Sequence, residues 1–63
     1  MNTGERIEAL RIAKGWSLTE LSVQASVGKG GLSEIERGMK SPTEITLRKL
    51  AKTLEVPPGK LLE

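Results

Sequence analysis

A chain of 63 residues with no Cys and no His has neither a disulfide framework nor a zinc site of ordinary type to staple its fold. Ten Lys and Arg against eight acidic residues leave a net charge of +2, too small to argue for nucleic acid by itself. The missing His and Cys also remove the usual general bases and nucleophiles, and the scattered Glu residues offer no carboxylate pair, so the composition speaks against an enzyme.

The elements read as helices from end to end. Asn2-Thr3-Gly4-Glu5 is a cap residue followed three positions later by Glu, a variant of the capping box. Ile7, Leu10, Ala13 and Lys14 then follow at helical spacing to a stop at Gly15, a residue suited to the left-handed turn that ends many helices. Ser17-Leu18-Thr19-Glu20 is a full S-x-x-E box opening a second, short helix with Leu21 and Ala25 inward. A third is predicted to start near Gly28, carry Leu32 and Ile35 inward and stop at Gly38. After Lys40-Ser41-Pro42, Thr43 can cap a fourth helix, whose stripe Leu47, Leu50, Ala51, Leu54 is the cleanest periodic signal in the chain. Pro57-Pro58 ends that run and can open a last turn through Leu61 and Leu62. No segment alternates as a strand would. The expectation is an all-α fold of five short helices in a single domain, residues 1–63.

Several classes of partner drop out. Trp16 is the only aromatic residue, so base-stacking platforms of the single-strand or RNA kind are not expected. No apolar run approaches the roughly 20 residues of a membrane span, and the start has no signal-peptide apolar region, which predicts a soluble, cytoplasmic chain. The tract Gly28-Lys29-Gly30-Gly31 suggests a phosphate cradle, but it lacks the G-x-x-x-x-G-K-[S/T] spacing of a nucleotide site. No cofactor, metal or small-molecule site is predicted.

The apolar positions 21, 25, 27, 32 and 35 lie on two short helices about three residues apart, a connection that suits a steep crossing rather than a hairpin. With Leu10-Arg11, Ala13-Lys14-Gly15, Ser17, Glu20-Leu21, Ala25, Val27, Leu32-Ser33, Ile35-Glu36-Arg37-Gly38, Ser41-Pro42, Thr46-Leu47 and Leu50-Ala51, the chain resembles the Cro/cI-type helix-turn-helix family of phage repressors and xenobiotic-response-element-like regulators. The resemblance runs from about residue 5 to 62. It implies a lambda-repressor-like fold with its helix-turn-helix unit at about residues 17–37. It also implies a bacterial, archaeal or phage transcriptional regulator, a repressor or controller protein, that binds a palindromic operator as a homodimer.

In that family the third helix enters the major groove of double-stranded DNA, as in the repressors that are standard examples of this geometry. The positions carried over for base reading are Gly28, Lys29, Gly30, Ser33 and Glu34, and those for phosphate contact are Ser17, Arg37, Lys40 and the backbone around Ser41. Arg11 and Glu36 match the family's buried ion pair, a structural role. Each site residue also has a plainer reading. Lys29, Arg37 and Lys40 can be solvated charges, Ser17 is first a helix cap, and Glu34 is either a surface Glu or an acceptor for cytosine N4. Trp16 is expected to plug the core beside the second helix.

The chain departs from the family pattern at four places. Gly30 and Gly31 stand where members usually carry side chains that reach DNA or buttress the helix, and each Gly costs up to about 1 kcal/mol of helix stability. Leu18 stands where a polar phosphate contact is common, and Ser26 where the turn usually holds Gly at positive φ. A protein-interaction or antitoxin-like adaptor on the same fold, with weak or no specific DNA binding, therefore stands as the alternative.

Overall fold

The computed structural model describes residues 2–62, so both end residues of the expected domain lie outside the described residues. Asn2 opens α1 (Thr3–Ala13). Its side chain accepts from the Glu5 backbone N–H at 2.9 Å, and the Glu5 carboxylate accepts from the Asn2 N–H at 3.0 Å. Gly15 then turns the chain at φ +74°. α2 (Leu18–Ala25) starts on the same device: Ser17 Oγ accepts from Glu20 N–H at 3.1 Å and Glu20 accepts from Ser17 N–H at 2.8 Å. The Ser17 backbone N–H and, less, the Ser17 side chain hold the Glu20 carboxyl below the usual carboxylate range. Their stabilisation is thus present above the unfolded pKa and lost only as pH falls through the folded one.

α3 (Lys29–Glu36) follows Gly28, which caps it without a side-chain bond, and α4 (Glu44–Leu54) is capped by Thr43, whose hydroxyl accepts from Thr46 N–H at 3.2 Å. The expected fifth helix is corrected to a single 3-10 turn, Pro58–Leu61. Its closing bonds run over three residues, Lys60 N–H to Pro57 O at 2.9 Å and Leu62 N–H to Gly59 O at 3.3 Å. Four residues after the Pro57 cap are too few for the i→i−4 ladder of an α-helix and close with the tighter i→i−3 bonds instead. Leu61 is nevertheless fully buried, whereas Leu62 leaves the turn extended and half-exposed.

Ile7, Leu21, Ala25, Leu32, Ile35, Leu47, Leu50, Ala51, Leu54 and Leu61 form one core, with Leu10, Trp16, Leu18, Val27 and Val56 packed on its rim. Trp16, expected to plug the core beside the second helix, is half-buried against that core, and Leu18 packs on it as well. α1 buries only Gly4 and Ile7, while Leu10 is half-buried and Ala13 exposed. It meets α3 through its first turn: a Cβ on Gly4 would overlap the Ile35 carbonyl oxygen. Farther along α1, the Arg11 guanidinium is bidentate to Glu36, Nε to Oε2 at 2.8 Å and Nη2 to Oε1 at 2.9 Å, and Nη1 donates to Trp16 O at 2.9 Å. Among the described residues no helix is long and apolar enough to cross a membrane.

Ser26 ends α2 at φ +56°, ψ +45°, the left-handed conformation in which only Gly avoids a Cβ penalty. Replacing it, Ser26→Gly, is expected to stabilise the fold by about 0.5–1 kcal/mol. Urea denaturation of the two proteins checks this, and an unchanged or lower midpoint refutes it. The turn itself is held by Val27 N–H to Ser22 O at 3.0 Å and by Lys49 of α4, whose Nζ lies 3.5 Å from Ser26 O.

Candidate nucleic-acid interface

The orientation of α3 follows from its buried side. Leu32 and Ile35 are 1% and 4% exposed, and Glu36 is drawn inward by Arg11. At 100° per residue, positions 30, 33, 34 and 37 fall on the opposite face and position 29 on its flank. Lys29, Gly30, Glu34 and Arg37 are exposed and Ser33 half-exposed, so these candidates share one solvent-facing surface. Their side chains make no hydrogen bond or ion pair among the described residues.

A second group gathers beside it. Gly28, Lys40 and Ser41 line a shallow groove between the start of α3 and the loop into α4, over a floor that includes Val27, Leu32 and Ile35. Lys40 Nζ lies 3.8 Å from where a Gly31 Cβ would stand, an ordinary contact distance that brings the ammonium beside the start of α3. The same groove includes Thr43 and Thr46, whose hydroxyls are 3.1 Å apart. The sequence marked Thr43 only as a cap; the T-x-x-T spacing was the available signal for the pair. Ser17 stands at the start of α2, away from this groove. Its Oγ accepts from the Glu20 N–H, which leaves its own hydrogen and the N–H groups of Leu18 and Thr19 to face an anion. No group of three or more potential metal ligands occurs among the described residues.

An uncapped start of α3, its outward polar face and unpaired cations form a surface suited to a phosphodiester backbone with base edges between its strands. A helix-turn-helix family model matches residues 7–61. The chain belongs to the helix-turn-helix family. SutR of Escherichia coli, an HTH-type transcriptional regulator, is 45% identical over 51 residues, 81% of this chain and 29% of its own length. An uncharacterised HTH-type regulator of Mycobacterium tuberculosis is 40% identical over 58 residues, 92% of this chain and 23% of its own. This helix-turn-helix chain thus spans about a quarter of the length of such relatives. Among solved structures, SinR in complex with DNA superposes with a TM-score of 0.92 at 40% identity, covering 97% of this chain and 98% of that one. The P22 c2 repressor bound to a synthetic operator gives 0.93 at 30% identity, covering 100% and 96%. These proteins are named as regulators and repressors, a non-enzymatic class.

Proposed function

We propose that this chain is the DNA-binding domain of a transcriptional regulator, a repressor or controller protein of the bacterial or phage cytoplasm. Residues 1–63 act as one domain and the helix-turn-helix unit spans about residues 17–37. A homodimer sets α3 of each protomer into successive major grooves of a palindromic operator. The observation that carries this reading is the outward face of α3, where Lys29, Ser33, Glu34 and Arg37 stand unpaired in a fold shared with two proteins solved on DNA. Lys29 and Ser33 read base edges beside Gly28 and Gly30, whose backbone allows close approach. Ser17, Arg37, Lys40 and the Ser41 backbone hold phosphates.

Phosphate contacts and base contacts leave different signatures. Arg37→Ala and Lys40→Ala are each expected to weaken binding to every duplex alike and to lower the slope of log K against log salt by about 1. Fluorescence anisotropy over a salt series measures both. In a palindrome the half-sites should lie about one helical turn apart, roughly 34 Å, and five inserted base pairs should abolish tight binding. The Gly-rich start of α3, with glycines at 28, 30 and 31, favours the second reading, an adaptor on the same fold. That reading predicts no selected fragment and no salt dependence for the parent or for either alanine variant.

A further inference from the structure

Glu34 stands apart from the other carboxylates. Among the described residues, Glu5 and Glu20 close capping boxes, Glu8 and Glu36 face Arg11, Glu44 pairs with Arg48 at 2.9 Å, and Glu55 with Lys14 at 2.6 Å. Glu34 alone has neither a cap nor a cation, although Arg37 follows it by one helical turn. It is exposed on the same side of α3 as Gly30 and Arg37. Helical side chains lean toward the N-terminus, over the residue four positions earlier. For Glu34 that residue is Gly30, which has no side chain and open space around its Cβ position.

A carboxylate presented to DNA is repelled by phosphates and by every acceptor on a base edge. Guanine offers N7 and O6 in the major groove and thymine O4, while adenine sets its N7 acceptor beside its amino group. Cytosine alone offers an amino donor and no major-groove acceptor of its own, the acceptor beside it being the O6 of its paired guanine. We infer that Glu34, extended over the bare Gly30, is the discriminating side chain of α3 and selects cytosine at one position of each half-site. This inference rests on the DNA-binding reading above. The charge that weakens non-specific attraction is thereby the source of selectivity, and Gly30 is the space that lets it reach.

The test is enrichment of random duplexes by the parent, Glu34→Ala and Glu34→Gln, followed by anisotropy on the enriched site and on an unrelated duplex. The parent should enrich one cytosine per half-site, and replacing that base should weaken binding about tenfold. Glu34→Ala should lose the preference at that position only, while its affinity for the unrelated duplex rises about threefold as the repulsion disappears. Glu34→Gln should move the preference toward adenine, whose N6 and N7 match an amide. Because the Glu34 side chain makes no hydrogen bond or ion pair among the described residues, melting temperatures should not change. An enriched site kept unchanged by Glu34→Ala overturns the inference, as does a uniform loss of binding with a lowered melting temperature. A parent that enriches no sequence overturns the DNA-binding reading together with it.

Discussion

Replacing Arg11 with Met is expected to cost about 3–5 kcal/mol, the range seen when one partner of a buried ion pair is removed. The side chain of Glu36 is only 5% exposed and that of Arg11 13%, so Glu36 would be left as a charge away from water. The Trp16 carbonyl would lose its donor in the same step. The reverse truncation, Glu36→Leu, should cost less. Arg11 would keep the Trp16 carbonyl and Glu8, whose carboxylate lies 3.8 Å away, and its long stem can carry the charge toward water. In the folded chain the bond to Glu36, with the nearby charges of Glu36 and Glu8, raises the Arg11 pKa against the opposing effect of burial, so Arg11 stays protonated throughout. The double variant Arg11→Met, Glu36→Leu should be more stable than the sum of the singles predicts, because no unpaired charge remains. Urea unfolding of the four proteins measures the cycle, and additive effects would refute the coupling. Even if Arg11→Met alone fails to fold, a folded double variant establishes it.

Gly4→Ala is expected to lose about 3 kcal/mol, the upper end of overpacking costs. Alanine would normally favour a helix over glycine by up to about 1 kcal/mol. Here its Cβ would overlap Ile35 O and lie 2.8 Å from Glu36 O, and both are backbone atoms that cannot rotate aside. Relief requires α1 to move off the last turn of α3, which pulls on the Arg11–Glu36 pair as well. Gly59→Ala is the control: a Cβ there meets nothing within 4 Å, and the residue is exposed, so it should be nearly neutral. Thermal melts of both variants check the contrast. Equal melting temperatures would mean that α1 yields without cost.

The two costs have different visibility. The Arg11–Glu36 pair was legible because the chain resembles a family that carries it, although nothing in the spacing of residues 25 apart would have paired them. Gly4 was read only as part of a capping box. Its approach to Ile35 and Glu36 depends on where two helices cross, and no local pattern records that. Glu55 is a similar case. It ends α4 at φ +61° while bonding Lys14, a conformation and a partner with no cue in the run up to Pro57.

Along the chain, local chemistry specified most of the helices unaided. Asn2, Ser17 and Thr43 satisfy helix-start N–H groups that have no other partner nearby, and Gly15 marks a left-handed stop, so these boundaries are settled within a few residues. The stripe of Leu47, Leu50, Ala51 and Leu54 likewise designates its own inner face, because burial at helical spacing is a property of the segment. Tertiary packing decided the remainder. It left Trp16 on the rim and brought Lys40 and Ser41 beside Gly28. It also paired Glu36 with Arg11 and Glu55 with Lys14 across helices, while Glu34 received no cation. The sequence by itself therefore determined where helices begin and which faces turn inward, since those depend on neighbours a turn away. Which charges remain free to meet a partner depended on the crossings between helices, and only the folded chain could decide it.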